Sequence, residues 1–243
     1  MITIVGTGHV FKIGHKVEAI ILNRRPQCVC LELDRDRFWA LTHRDEIDPR
    51  GVPVAYRMMA DFQERIAGQY GAKVGEEMEA AANAAKSIGA AIACIDMNAQ
   101  VAFNRVWVTM PFEERVKLAV TIFASLFARR RSVESEVKRF EDDSSAYMNE
   151  FGEQFPTIKK VLIDDRNLHM AKNIEELHAK FLDMVIVVGD GHVEGLTRLL
   201  SHRKDELEII RLRSYRNEPP EPIRPKEPPK VDGHTVGYSF EAE

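Results

Sequence analysis

Short runs of branched aliphatics recur along the chain, most of them followed by a segment with helical spacing. Ile2, Ile4 and Val5 form a brief apolar run that breaks at Gly6-Thr7-Gly8-His9, the pattern of a buried strand ending in a sharp turn. KVEAIILNRR (16–25) then carries apolar residues at helical intervals and stops at Pro26, where the ring forbids continuation. CVCLEL (28–33) predicts a second strand. RDRFWALTHR (35–44) predicts a helix, with Asp34 before it as a natural N-cap. From Gly51 to Ser87 the chain reads as mainly helical, and its last stretch, GEEMEAAANAAKSIGA, is rich in alanine and closes at the helix stop Gly89. AIACI (91–95), MVIVV (184–188) and ELEIIRL (206–212) predict three further strands, with a helix over 193–202 between the last two. Residues 111–183 carry no strand signal; they read as charged helices broken near Gly152 and Pro156.

Alternation of this kind predicts an α/β fold, a mainly parallel sheet flanked by helices with right-handed crossovers. A helical cap, about 111–183, is inserted before the penultimate strand. The globular part spans 1–215. From 216 to 243 the composition changes: NEPPEPIRPKEPPKVDG holds six prolines in 17 residues, an extended tail rather than core. The closing HTVGYSFEAE leaves room for an edge strand.

Composition narrows the partners. Hydrophobic residues make up 44% and charged residues 30% of 243 positions, an ordinary globular balance with enough chain for a substantial core. Lys and Arg number 34 against 38 Asp and Glu, which gives no electrostatic case for nucleic acid. Three cysteines, Cys28, Cys30 and Cys94, argue against a disulfide framework and suit a reducing, cytoplasmic setting. Met1 leads straight into the first strand, so no signal peptide is expected. The longest apolar stretch, LAVTIFASLFA (118–128), has 11 residues before Arg129-Arg130-Arg131, too few to span a bilayer. It reads as a buried or interface helix, the natural seam of a homodimer through the cap; docking on a membrane surface is the alternative.

IVGTGHV (4–10) has an echo in VVGDGHV (187–193). Each is a strand of branched aliphatics, then Gly-x-Gly-His, then a helix. In a parallel sheet both turns fall at the carboxyl edge, where α/β proteins place ligands. If the two strands are neighbours, His9 and His192 enter one crevice, with the glycines leaving space around the rings. Two imidazoles and a carboxylate suit a divalent ion, and Glu32, at the end of the second strand, is the natural third ligand. Manganese, cobalt, zinc or iron all fit such a donor set. A dinucleotide fingerprint is the competing reading of Gly6-x-Gly8. Its third glycine is replaced by Phe11, and it leaves the second copy without a role.

These stretches, together with RPQCVCLELDRDRFWAL, VGEEMEAAANAAKSIGAAIACID and the helix containing VLIDDRNLHMAKNI, resemble in order the TraB family, also called TraB/PrgY/GumN or pheromone-shutdown. Tiki proteins, described as metal-dependent proteases, and relatives of erythromycin esterase and of a haem-binding lipoprotein belong to the wider superfamily. Its shared features are two Gly-x-x-His motifs and a glutamate after the second strand, here Gly6/His9, Gly189/His192 and Glu32. The resemblance further marks the Gly75-Glu76-Glu77-Met78 helix start, Arg105 after the third strand and Arg166 on the cap. Where the family commonly has Asp-Arg-Asp after the third strand, this chain has Asp96-Met97-Asn98, and Asp165-Arg166-Asn167 softens the cap motif.

The resemblance implies a metal-dependent hydrolase, with peptides as one substrate class. His9, Glu32 and His192 would hold the metal, Glu77 would act as general base, and Arg105 and Arg166 would orient substrate or brace the carboxylates. Glu77 also reads as an ordinary first-turn glutamate, and the two arginines as salt-bridge partners. The other reading is a non-catalytic protein that binds a peptide or small ligand in the same crevice, which the missing charges at 97, 98 and 167 favour. No integral membrane segment is expected.

Overall fold

A computed structural model describes residues 1–8, 12–43, 75–125, 139, 144–216, 218, 222 and 237–239. His9 and most of the expected helical stretch between Gly51 and Ser87 lie outside the described residues, as do 126–138. In chain order the elements are β1 (Ile2–Thr7), α1 (Gly14–Arg24), β2 (Cys28–Leu31), α2 (Arg35–Thr42), α3 (Glu76–Ser87), β3 (Ala91–Cys94), α4 (Ala99–Thr109), α5 (Phe112–Ser125), α6 (Ser144–Gln154), α7 (Pro156–Lys159), a π-helical segment (Lys160–Asp165), α8 (Arg166–His178), β4 (Met184–Gly189), α9 (Asp190–Leu199), a 3₁₀ segment (Ser201–Glu206), β5 (Leu207–Ile210), α10 (Leu212–Tyr215) and β6 (Gly237–Ser239).

The strands form one parallel sheet in the order β5-β1-β4-β2-β3-β6. Among the described strands, only β2 and β3 are neighbours both along the chain and in the sheet. β4 returns from the end of the chain to sit between β1 and β2, so the two strands bearing Gly-x-Gly-His are direct neighbours, with Thr7 opposite Gly189.

Both faces are covered. Ile2, Ile4, Cys28, Cys30, Ala93, Met184, Ile186 and Val188 point to one face, against Met170, Ile174 and Leu177 of α8 and Val193 and Leu196 of α9. Val5, Val29, Leu31, Val185 and Val187 point to the other, against Val17 and Ile21 of α1 and Met78, Ala81, Ala84 and Ala85 of α3. The period-2 alternation therefore buries residues in both directions, which is why the strands read as continuous apolar runs. Alanines on α3 let α1 approach closely: a Cβ on Gly14 would lie 3.3 Å from that of Ala80.

Local signals explain the boundaries. Arg25 adopts a left-handed φ of 50° and its N–H closes on Ile21 O before Pro26, and Gly89 ends α3 region with φ 70°. Asp34 caps α2, accepting from Arg37 N at 2.9 Å. Asn98 caps α4 through the N–H groups of Gln100 and Val101, at 2.9 and 3.2 Å.

The region expected as a cap divides in two. Its last helix, α8, lies directly on the sheet, because Met170, Ile174 and Leu177 repeat at helical spacing and are fully buried. α5 instead turns Phe112, Val116, Val120 and Phe123 outward, at 78, 46, 63 and 65% exposure. No helix among the described residues is long and apolar enough to cross a membrane. β6 adds an edge strand beside β3, drawn from the segment after the prolines.

Candidate functional site

Glu32 follows β2 and is 5% exposed; His192 stands in the first turn of α9 and is 4% exposed. The helix expected at 193–202 begins earlier, at Asp190, with Gly189 as its N-cap. The second histidine is thus presented by a helix start rather than by a free turn. Because β2 and β4 are adjacent, the two side chains meet at the carboxyl edge, with His192 Nε2 3.3 Å from Glu32 Oε1. The other Glu32 oxygen accepts from Gly189 N–H at 2.6 Å, a donor at the start of α9. On its far side His192 Nδ1 is 2.8 Å from Asn167 Oδ1.

Arg166 organises the remainder. Its Nε and Nη2 donate to the two oxygens of Asp96 at 3.0 and 2.6 Å, Nη1 donates to Leu162 O at 3.1 Å, and Nη2 also donates to Glu32 Oε1. Asp96 accepts from Arg37 as well, and Arg37 Nε donates to Asp34 at 2.7 Å. A ladder of alternating charge, Glu32–Arg166–Asp96–Arg37–Asp34, therefore runs along the edge from β2 past β3. Burial works against the Arg166 cation, but Glu32 and Asp96 outweigh it and raise its pKa. Arg37 follows the same pattern, with Asp96 and Asp34 overcoming desolvation.

The sequence-predicted residues sort unevenly. Glu32, His192 and Arg166 come together. Arg166 spends its donors on protein carboxylates and a carbonyl, so it braces Glu32. Arg105 lies half exposed on α4 with Nη1 3.6 Å from Asp165, a surface pair of little energetic weight. Glu77 is buried in the first turn of α3, on the β1 side of the edge: burial, Asp190 and then Glu77 push up the pKa of Tyr215, whose hydroxyl donates to Gly6 O at 2.7 Å. His169 accepts from Asn173 Nδ2 at 3.1 Å, and burial lowers its pKa.

Asp96, Arg37 and Asp34 are edge residues that periodicity did not single out. The short polar side chains at 98 and 167 have structural employment: Asn98 caps α4 and donates to Asp36 at 3.0 Å, and Asn167 holds His192. The glycine of the first motif also has a specific reason. A Cβ on Gly6 would fall onto the Asp190 carboxylate, which is itself fixed by Arg211 Nη2 at 2.7 Å, Ser144 Oγ at 2.6 Å and Leu212 N at 2.9 Å. The space at Gly6 is filled by the second motif's own variable residue rather than left open around a ring.

Among the described residues no three His, Cys, Asp or Glu side chains converge as a ligand set. Glu32 and His192 supply two donors. Their chemistry fits a cation: an imidazole nitrogen and a carboxylate oxygen lying side by side are donor types that a divalent ion takes.

A doubly covered parallel sheet, with twin Gly-x-Gly-His strands side by side and a buried glutamate just past the end of the next strand, places the chain in a definite class of α/β proteins. The chain belongs to the TraB/PrgY/gumN family, whose model matches residues 1–206. It is also similar to an uncharacterized protein, MJ1365, of Methanocaldococcus jannaschii, with 31% identity over 236 residues covering 87% of this chain and 57% of that protein. The chain thus spans little more than half the length of that relative.

Proposed function

We propose that this chain is a metal-dependent hydrolase of the TraB type acting on a peptide or small-molecule substrate, with a divalent ion held by His9, Glu32 and His192. The observation that carries the reading is the buried approach of His192 Nε2 to Glu32 Oε1 at 3.3 Å, at the edge of adjacent strands. A bound divalent ion supplies Lewis acidity and a water of lowered pKa. The chain's own residues prepare that site. Arg166 and Gly189 N–H fix the Glu32 carboxylate, so its lone pairs are oriented before any ligand arrives. Asp96 holds Arg166 in turn. Glu77, on the β1 side, is the proposed proton acceptor. Arg105, tied to Asp165, is left out of the machinery.

Elemental analysis of protein purified without chelator tests this reading, alongside Glu32→Gln, His9→Ala and His192→Ala. Near-stoichiometric manganese, cobalt, zinc or iron in the parent and its loss in all three variants supports the metal centre, and a quenched-peptide library then tests cleavage. A parent that stays metal-free after soaking sinks the hydrolase, and peptide bound but uncut would favour a ligand-binding protein.

A further inference from the structure

Asn167 is 3% exposed and stands in the first turn of α8, directly after the π-helical segment Lys160–Asp165. Wide turns of this kind re-aim side chains, and are common at functional sites. Here two consecutive residues both reach the sheet edge: Arg166 takes Glu32, and Asn167 takes His192. The Asn167 amide oxygen, 2.8 Å from Nδ1, has no proton to give. The bond therefore puts a ring proton on Nδ1, and in the neutral imidazole that leaves Nε2 as the bare nitrogen facing Glu32.

A second residue makes room for this arrangement. Gly195 lies on α9, one turn beyond His192, and a Cβ there would collide with Asn167 Nδ2. The colliding atom is the tip of a side chain, so the amide can give way, but only by moving off the imidazole. Glycine at 195 is thus the clearance that lets the Asn167 amide lie between α8 and α9.

We infer that Asn167 is a positioning residue that sets the tautomer of His192, with Gly195 providing the space it needs. The metal reading above gives Nε2 its purpose, but the tautomer itself does not depend on a metal. An acidic residue at 167 would fill the same post, since a carboxylate accepts from Nδ1–H equally well.

The test is long-range ¹H–¹⁵N correlation of the histidine rings in metal-free protein in mildly alkaline buffer, with His192 assigned by its loss in His192→Ala. The wild-type ring should be protonated at Nδ1. Asn167→Asp should retain that signature. Asn167→Leu, close in size but without an acceptor, should shift the ring to Nε2–H, and Gly195→Ala should do so with Asn167 still present. Nε2–H in the wild type overturns the inference, as does an unchanged Nδ1–H signal in Asn167→Leu or Gly195→Ala. If Asn167→Leu does not fold, the wild-type and Gly195→Ala spectra decide. Zn²⁺ titration adds a second readout: roughly 10–100-fold weaker binding in Asn167→Leu, recovered in Asn167→Asp. Wild type that binds no Zn²⁺ yet shows Nδ1–H removes the metal reading and leaves the positioning role intact.

Discussion

Arg166 grips Asp96 with two parallel hydrogen bonds, Nε to Oδ1 at 3.0 Å and Nη2 to Oδ2 at 2.6 Å, across 70 residues of sequence. That fork joins the helix covering one face of the sheet to the strand end beyond it. The same guanidinium also reaches Glu32. A planar five-donor group can serve both carboxylates at once, whereas an ammonium, a single point charge, cannot hold the fork.

Arg166→Ala should therefore be costly. It leaves Glu32 and Asp96 as buried carboxylates deprived of their shared counter-ion, and breaking a buried pair in this way costs about 3–5 kcal/mol. Arg166→Lys should recover only part of that loss. Urea unfolding of the two variants reads the difference, and equal stability of Arg166→Lys and the parent would contradict the bidentate role.

Gly6→Ala should destabilise by about 1–3 kcal/mol, the usual cost of forcing a methyl into filled space. The methyl meets Asp190 Oδ1, and that carboxylate cannot swing away without leaving Arg211 and Leu212 N. Gly6→Ala combined with Asp190→Ala should cost less than the sum of the single changes, in a double-mutant cycle of thermal or urea unfolding.

Asp190 also makes a pH prediction. Burial alone would raise its pKa, but hydrogen bonds from Arg211, Ser144 and Leu212 N–H lower it below the ordinary carboxylate value. A depressed folded-state pKa means that the unfolded chain takes up the proton first as pH falls. The stabilisation is full above the unfolded value of about 3.9 and is lost progressively as pH falls through the folded one. The stability gap between wild type and Asp190→Asn should be constant near neutrality and narrow below about pH 4. Urea midpoints measured across that range check the sign, and a gap that widens in acid would refute it.

Much of the sheet was legible in the residues. β1 and β2 are short apolar runs bounded by glycine or proline, and their burial on both faces is what makes such runs conspicuous. The helix stops at Arg25–Pro26 and Gly89 and the cap at Asp34 followed from backbone chemistry alone. α8 was harder to place. Its buried stripe of Met170, Ile174 and Leu177 sits among charged residues, so the sequence alone suggests part of a cap, whereas the helix covers the sheet. α9 starts three residues before the helical spacing suggests, because Gly189 and Gly191 look like loop and serve as cap and first turn.

The site was legible in its kinds of residue but not in its connections. Twin Gly-x-Gly-His motifs and Glu32 stand out by repetition and by their strand-end positions. Asp34 reads from sequence only as an N-cap; the fold adds Ala99 N–H at 3.1 Å and the Arg37 guanidinium at 2.7 Å to its partners. Asn167 looked like a lost charge, and is the residue that holds His192.

By itself the sequence determined the apolar strands, the capped helices, the parallel α/β class and the Gly-x-Gly-His repeat after two of the strands, because each depends on residues close together along the chain. The tertiary structure alone decided that β4 returns between β1 and β2, and hence that Glu32, His192, Asn167 and Arg166 meet. That juxtaposition is a matter of strand order and of the π-helical segment that aims two adjacent side chains at one edge. Neither is written in any local pattern, since both arise from which buried faces and buried charges find partners across more than a hundred residues of chain.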